Sequence, residues 1–135
     1  MQPQNDLLSL EQLERDVWPE PEFNSHLVRT CHRLRKVRLS DLEVEDLRIL
    51  LSQGIGLHYI LPKALHLLQE EPLAEGDFYP GDLLGAVLSL PMENLRQERH
   101  WMPLLTEICA AALTHADPSM SKAGRAHVEA FLARV

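Results

Sequence analysis

Seven histidines and two cysteines are the residues from which metal or nucleophilic chemistry would have to be built. His66 and Glu70 stand four residues apart, a spacing that places two ligands on one helix face. No H-E-x-x-H run accompanies them and no third ligand stands at a recognisable spacing, so surface or partly buried histidine is the better reading. Cys31 precedes His32, the residue types of a thiol nucleophile and its base. Neighbours in sequence point to different faces of a helix, however, and Cys31 falls on an apolar stripe, which favours core packing. Neither a G-x-S-x-G elbow nor a Walker loop occurs, and Gly54-Ile55-Gly56 lacks the later glycine and flanking strand of a dinucleotide fingerprint. No catalytic residue, metal ligand or cofactor is assigned on this basis, and the chain is not expected to be an enzyme.

The most unusual segment runs from Glu70 to Asp82, EEPLAEGDFYPGD, with five carboxylates, no lysine or arginine, and two of the chain's seven aromatic residues, Phe78 and Tyr79. Like charges at this density repel one another, and a plain solvated loop is normally built from Ser, Asn and Gly instead. On a structural reading, the aromatics tuck under the loop while Glu70 and Glu71 end a helix. On a functional reading the segment is a recognition surface: Glu70, Glu71, Glu75, Asp77 and Asp82 steer a basic partner and Tyr79 anchors the contact. The run from Arg29 to Arg38 has the opposite composition, five cations and no acid. Cations at a helix C-terminus complement its dipole, and no helix-turn-helix signal accompanies the run. Pairing with an acidic face of the same chain accounts for it equally well.

The elements that must position these residues are helices. Leucine occurs 26 times against 7 valines, 4 isoleucines and 3 threonines, and nine prolines divide the chain into helix-length pieces. The pattern predicts an all-α, compact single-domain bundle of about six to eight helices. A first helix over about 6–16 carries Leu7, Leu10 and Leu13. A second, about 22–36, aligns Phe23, Leu27, Cys31 and Leu34. A third begins near Ser40, where Ser40-x-x-Glu43 matches a capping box. Leu57 to Glu71 forms the next, with Leu61, Leu65 and Leu68 inward and Pro62 in its first turn or at a kink. Residues 82–90 are apolar on nearly every side, the mark of a central helix. A helix over about 93–115, with a bend at Pro103, and one over about 119–134, opened by Asp117-Pro118-Ser119 and buried through Val128, Phe131 and Leu132, complete the bundle.

The 135 residues suffice for one real core. A net charge of −7 argues against nucleic acid or an anionic membrane as the main partner and favours a basic protein. Two widely spaced cysteines, no charged-then-apolar leader and no membrane-length apolar run point to a reduced cytoplasmic setting.

The run from Leu39 to Leu57, LSDLEVEDLRILLSQGIGL, followed by a proline-bearing leucine helix and then Pro72 to Leu84, PLAEGDFYPGDLL, resembles the contact-dependent growth inhibition (CDI) immunity proteins. Leu13 to Pro19, LERDVWP, is similar to that family's N-terminal region, and the likeness covers about residues 6–115. The resemblance implies a small cytoplasmic helical protein, non-enzymatic and without a cofactor. Its partner would be the C-terminal toxin domain of a large secreted effector, several of which are nucleases. The alternative from a different class is a regulatory adaptor that binds another cytoplasmic protein, or RNA, through its acidic face or its basic helix.

Overall fold

Leucine-rich segments with few β-branched residues fold as helices throughout. The computed structural model describes residues 3–22, 25–114 and 120–134. Among them the regular elements are eight α-helices and three short 3-10 helices, with no strand: α1 (Leu10–Glu14), α2 (His26–Leu34), α3 (Val44–Ser52), α4 (Leu57–Glu70), α5 (Asp82–Leu88), α6 (Met92–Gln97), α7 (Met102–Thr114) and α8 (Lys122–Arg134). The expectations for Phe23 and for Asp117-Pro118-Ser119 lie outside the described residues.

Helix boundaries follow local capping chemistry. α1 is shorter than the expected 6–16 because Ser9 starts it: the Gln12 N–H donates to Ser9 Oγ, and the Ser9 N–H donates to Gln12 Oε1 at 2.9 Å. Leu7, left in the preceding 3-10 turn, is exposed. Ser25 caps α2 through the Val28 N–H, and within the expected stripe Cys31 and Leu34 are buried while Leu27 is exposed. The third helix begins not at Ser40 but at Val44, with Glu43 as its cap, because the Asp46 carboxylate takes the Glu43 N–H at 2.9 Å. Residues 39–41 form a 3-10 turn instead, which lets Leu39 and Leu42 both enter the core.

Gly56, at φ 62°, joins α3 to α4. A Cβ there would stand 2.6 Å from Leu10 Cδ2, so only glycine permits the approach of α1. Pro62 is the sixth residue of α4, in its second turn rather than its first; its missing N–H takes the intrahelical donor from the His58 carbonyl. The single helix expected over 93–115 is broken at residues 98–101 into α6, a 3-10 turn and α7, and Pro103 occupies the first turn of α7, where a missing N–H is harmless. Ser121 Oγ accepts the Gly124 N–H at the start of α8.

α5 is the pivot. It packs against α3, α4 and α8, while α7 closes the far side against α4 and α8. Leu83, Leu84, Val87 and Leu88 of α5 join Leu47, Leu50, Leu61, Leu65, Leu105 and Phe131 in one continuous apolar cluster. At roughly 1.5–3 kcal/mol for each fully buried large apolar side chain, this cluster is the main stabilising term.

Candidate protein-binding surface

The acidic segment is a loop between α4 and α5 whose backbone is fixed from below by two carboxylates. Asp82, the first residue of α5, is buried at 3% exposure. Its carboxylate accepts the N–H groups of Gly76 at 2.6 Å and Phe78 at 3.1 Å, with Tyr79 N a looser 3.5 Å away. Glu45 Oε1, from α3, accepts the Asp77 N–H at 2.9 Å. A Cβ on Gly76 would fall 2.5 Å from Glu45 Oε1, so glycine is what lets the loop settle onto these two acids. Glu75 and Pro80 pair as an isolated antiparallel bridge, and the Gly81 N–H donates to the Leu73 carbonyl at 3.1 Å.

Arg48 answers Glu45, the partly buried one of the two acids. Its Nε and Nη2 donate to the two Glu45 oxygens at 2.7 and 2.6 Å, and its guanidinium lies 4.5 Å from the centre of the Phe78 ring. The Arg48 hydrogen bonds hold the Glu45 carboxyl below its ordinary range. The same contact, with the fields of Asp82 and Asp77, pushes Arg48 further up.

Of the six residues singled out in the sequence, five are exposed: Glu70, Glu71, Glu75, Asp77 and Tyr79, the last at 50%. Asp82 is the exception. A carboxylate turned inward to backbone donors is a loop-forming group, which corrects its assignment as a surface contact. Phe78, 65% exposed, does not tuck under the loop as the structural reading had it; it is displayed on Arg48. Glu45 and Arg48 are the residues sequence reasoning missed. Their i,i+3 spacing is legible, but nothing local connects Glu45 to Asp77, 32 positions away.

Beside the loop opens a cleft of about 540 Å³, lined by Leu51 and Ser52 of α3, Phe78 and Tyr79, Ala86 of α5 and His127 of α8 among others. The remaining reactive side chains are engaged in structure. The His66 Nδ1–H donates to the Pro62 carbonyl at 2.8 Å rather than meeting Glu70. Burial pushes the Cys31 thiol up and the Cys109 thiol up to about 11, opposite to what a nucleophile requires. His32 packs edge-on to Trp18. Among the described residues no group of three or more His, Cys, Asp or Glu is arranged to hold a metal ion. The basic run is divided: Arg35, 1% exposed, donates to Glu14 Oε1 at 2.7 Å and to the Asp16 carbonyl at 2.9 Å and lies over the Trp18 ring, while Arg29, Arg33, Lys36 and Arg38 stay at the surface.

Fold and surface together define a small all-α protein that displays a rigidly held acidic and aromatic loop. A family model described as CDI immunity proteins matches residues 12–103, and the chain belongs to that family of contact-dependent growth inhibition immunity proteins. The matched span runs from α1 to the start of α7 and contains the whole loop. A comparison with curated proteins finds no match. No helix among the described residues is long and apolar enough to cross a membrane.

Proposed function

We propose that the protein acts in the cytoplasm as a non-enzymatic, one-to-one inhibitor of the toxin domain of a CDI effector, that the toxin is a basic nuclease, and that contact is made through the loop of residues 70–79. The observation that carries this reading is the display of Phe78 and Tyr79, on a loop whose backbone is hydrogen-bonded to Asp82 and Glu45, among the exposed carboxylates Glu70, Glu71, Glu75 and Asp77. Aromatics on a backbone already fixed by hydrogen bonds cost less ordering on binding, and carboxylates around them accelerate encounter with a cationic surface. A nuclease must attract phosphate and so carries a basic cleft, to which an inhibitor of net charge −7 is complementary. Burial of Arg35 removes one of the five cations from the basic-helix form of the adaptor reading.

Calorimetric titration with the toxin domain encoded directly upstream of its gene, at two salt concentrations, tests the proposal. Tight one-to-one binding that weakens with salt is the expected result. Glu75→Lys combined with Asp77→Lys should weaken it by at least about tenfold, roughly 1.4 kcal/mol, with an unchanged circular dichroism spectrum. Unaltered affinity and salt dependence in that natively folded variant would remove the loop from the interface.

A further inference from the structure

We infer that the cleft beside the loop is an anchor pocket that takes an arginine side chain from the partner's surface; this rests on the immunity reading above. Three observations converge on it. The first is shape and lining: about 540 Å³ is ample for one long side chain, and Leu51, Leu57 and Ala86 offer apolar wall to its methylene stem. The second is the polar complement. Ser52, Ser89 and Asn94 bring neutral polar side chains to the same cleft, and Phe78 and Tyr79, both at least half exposed, line it with aromatic rings, one face of Phe78 lying under the Arg48 guanidinium. A guanidinium has five donors and no acceptor and stacks on aromatic faces, so it matches this set better than a compact ammonium or a carboxylate does.

The third observation is charge. Arg48 is the arginine in the cleft lining, and it is surrounded by Glu45, Asp77 and Asp82, three carboxylates against one guanidinium, which leaves two negative charges. Arg48 Nε and Nη2 donate to Glu45, so its charge is answered locally while the remainder of the field is open to an incoming cation. His127, from α8, also lines the cleft.

Ser89 provides the test. It is exposed, lies at the end of α5 and lines the cleft, so its replacement leaves the core untouched. Binding rates to the toxin domain encoded upstream are measured for the unaltered protein, Ser89→Arg and Ser89→Glu, with thermal melting as the check on folding. An occupied pocket is read in the dissociation rate, whereas long-range steering is read in the association rate. Ser89→Arg should dissociate at least about tenfold faster, and Ser89→Glu less than about threefold faster. If neither changes dissociation, the pocket is empty in the complex and this inference falls while the immunity reading stands. Equal acceleration by both variants shows an uncharged occupant and also overturns it. Failure of the unaltered protein to bind removes both. Asn94→Arg and Asn94→Glu repeat the comparison from the other wall should the Ser89 variants melt early.

Discussion

Asp82 gathers the Gly76 and Phe78 N–H groups, with Tyr79 N more loosely, onto one buried carboxylate, so its loss leaves these donors without a partner at once. Asp82→Ala is expected to destabilise the protein by about 3 kcal/mol in urea unfolding, and to raise amide exchange at Gly76 and Phe78. A change below about 0.5 kcal/mol would mean that the loop finds its conformation without this group. Glu45 carries a pH signature. Its folded carboxyl lies below the ordinary value of 4.5, so the stability it contributes is present above that pH and is lost as pH falls through the lower, folded value. Glu45→Gln should therefore reduce the slope of acid destabilisation below pH 4.5, and identical slopes for the two proteins would refute its role. The residue types of the candidate surface were legible as an acidic and aromatic run. That Asp82 points in while Asp77 points out was not, because both are aspartates in a proline- and glycine-bounded loop and only the position of α3 and α5 beneath it distinguishes them.

Between elements, the joint that matters most is Arg35. Its guanidinium ties the end of α1, through Glu14 and the Asp16 carbonyl, and the Trp18 ring to the C-terminal end of α2. In the sequence it is one cation among five, but it stands four residues after Cys31 and eight after Leu27, on the stripe side of α2, whereas Arg33 and Lys36 fall on another face. The structure buries it there at 1% exposure. Arg35→Met should lower stability by about 3 kcal/mol, whereas Arg33→Met should change it by less than about 0.5 kcal/mol. Chemical unfolding of the two variants side by side makes the comparison, and equal effects would show that the contacts of the buried Arg35 guanidinium contribute nothing. Helix positions could be read from leucine spacing to within a few residues. Boundaries were missed at Ser9, Glu43 and residues 98–101, where side-chain caps or a 3-10 turn outweigh the apolar pattern.

Across the whole molecule, the apolar cluster is continuous from Leu10 in α1 to Phe131 in α8, although the family match ends at residue 103. α8 packs on α5 and α7, and Phe131 is fully buried. Phe131→Ala is expected to cost about 3–5 kcal/mol and to lower the melting temperature of the entire protein. Far-ultraviolet dichroism and the fluorescence of Trp18 and Trp101, which lie near different ends of the chain, should report one coincident transition; two separated transitions would divide the chain into independently folding parts. The amino-acid sequence by itself determined the helical class, the apolar faces, the acidity and the resemblance to immunity proteins, because each is a property of composition or of spacing within one segment. Tertiary structure alone decided which charges are buried, which aromatics are displayed and where a cleft opens. Each of those depends on residues tens of positions apart meeting in a dry interior, where one carboxylate must find its donors and one guanidinium its acids.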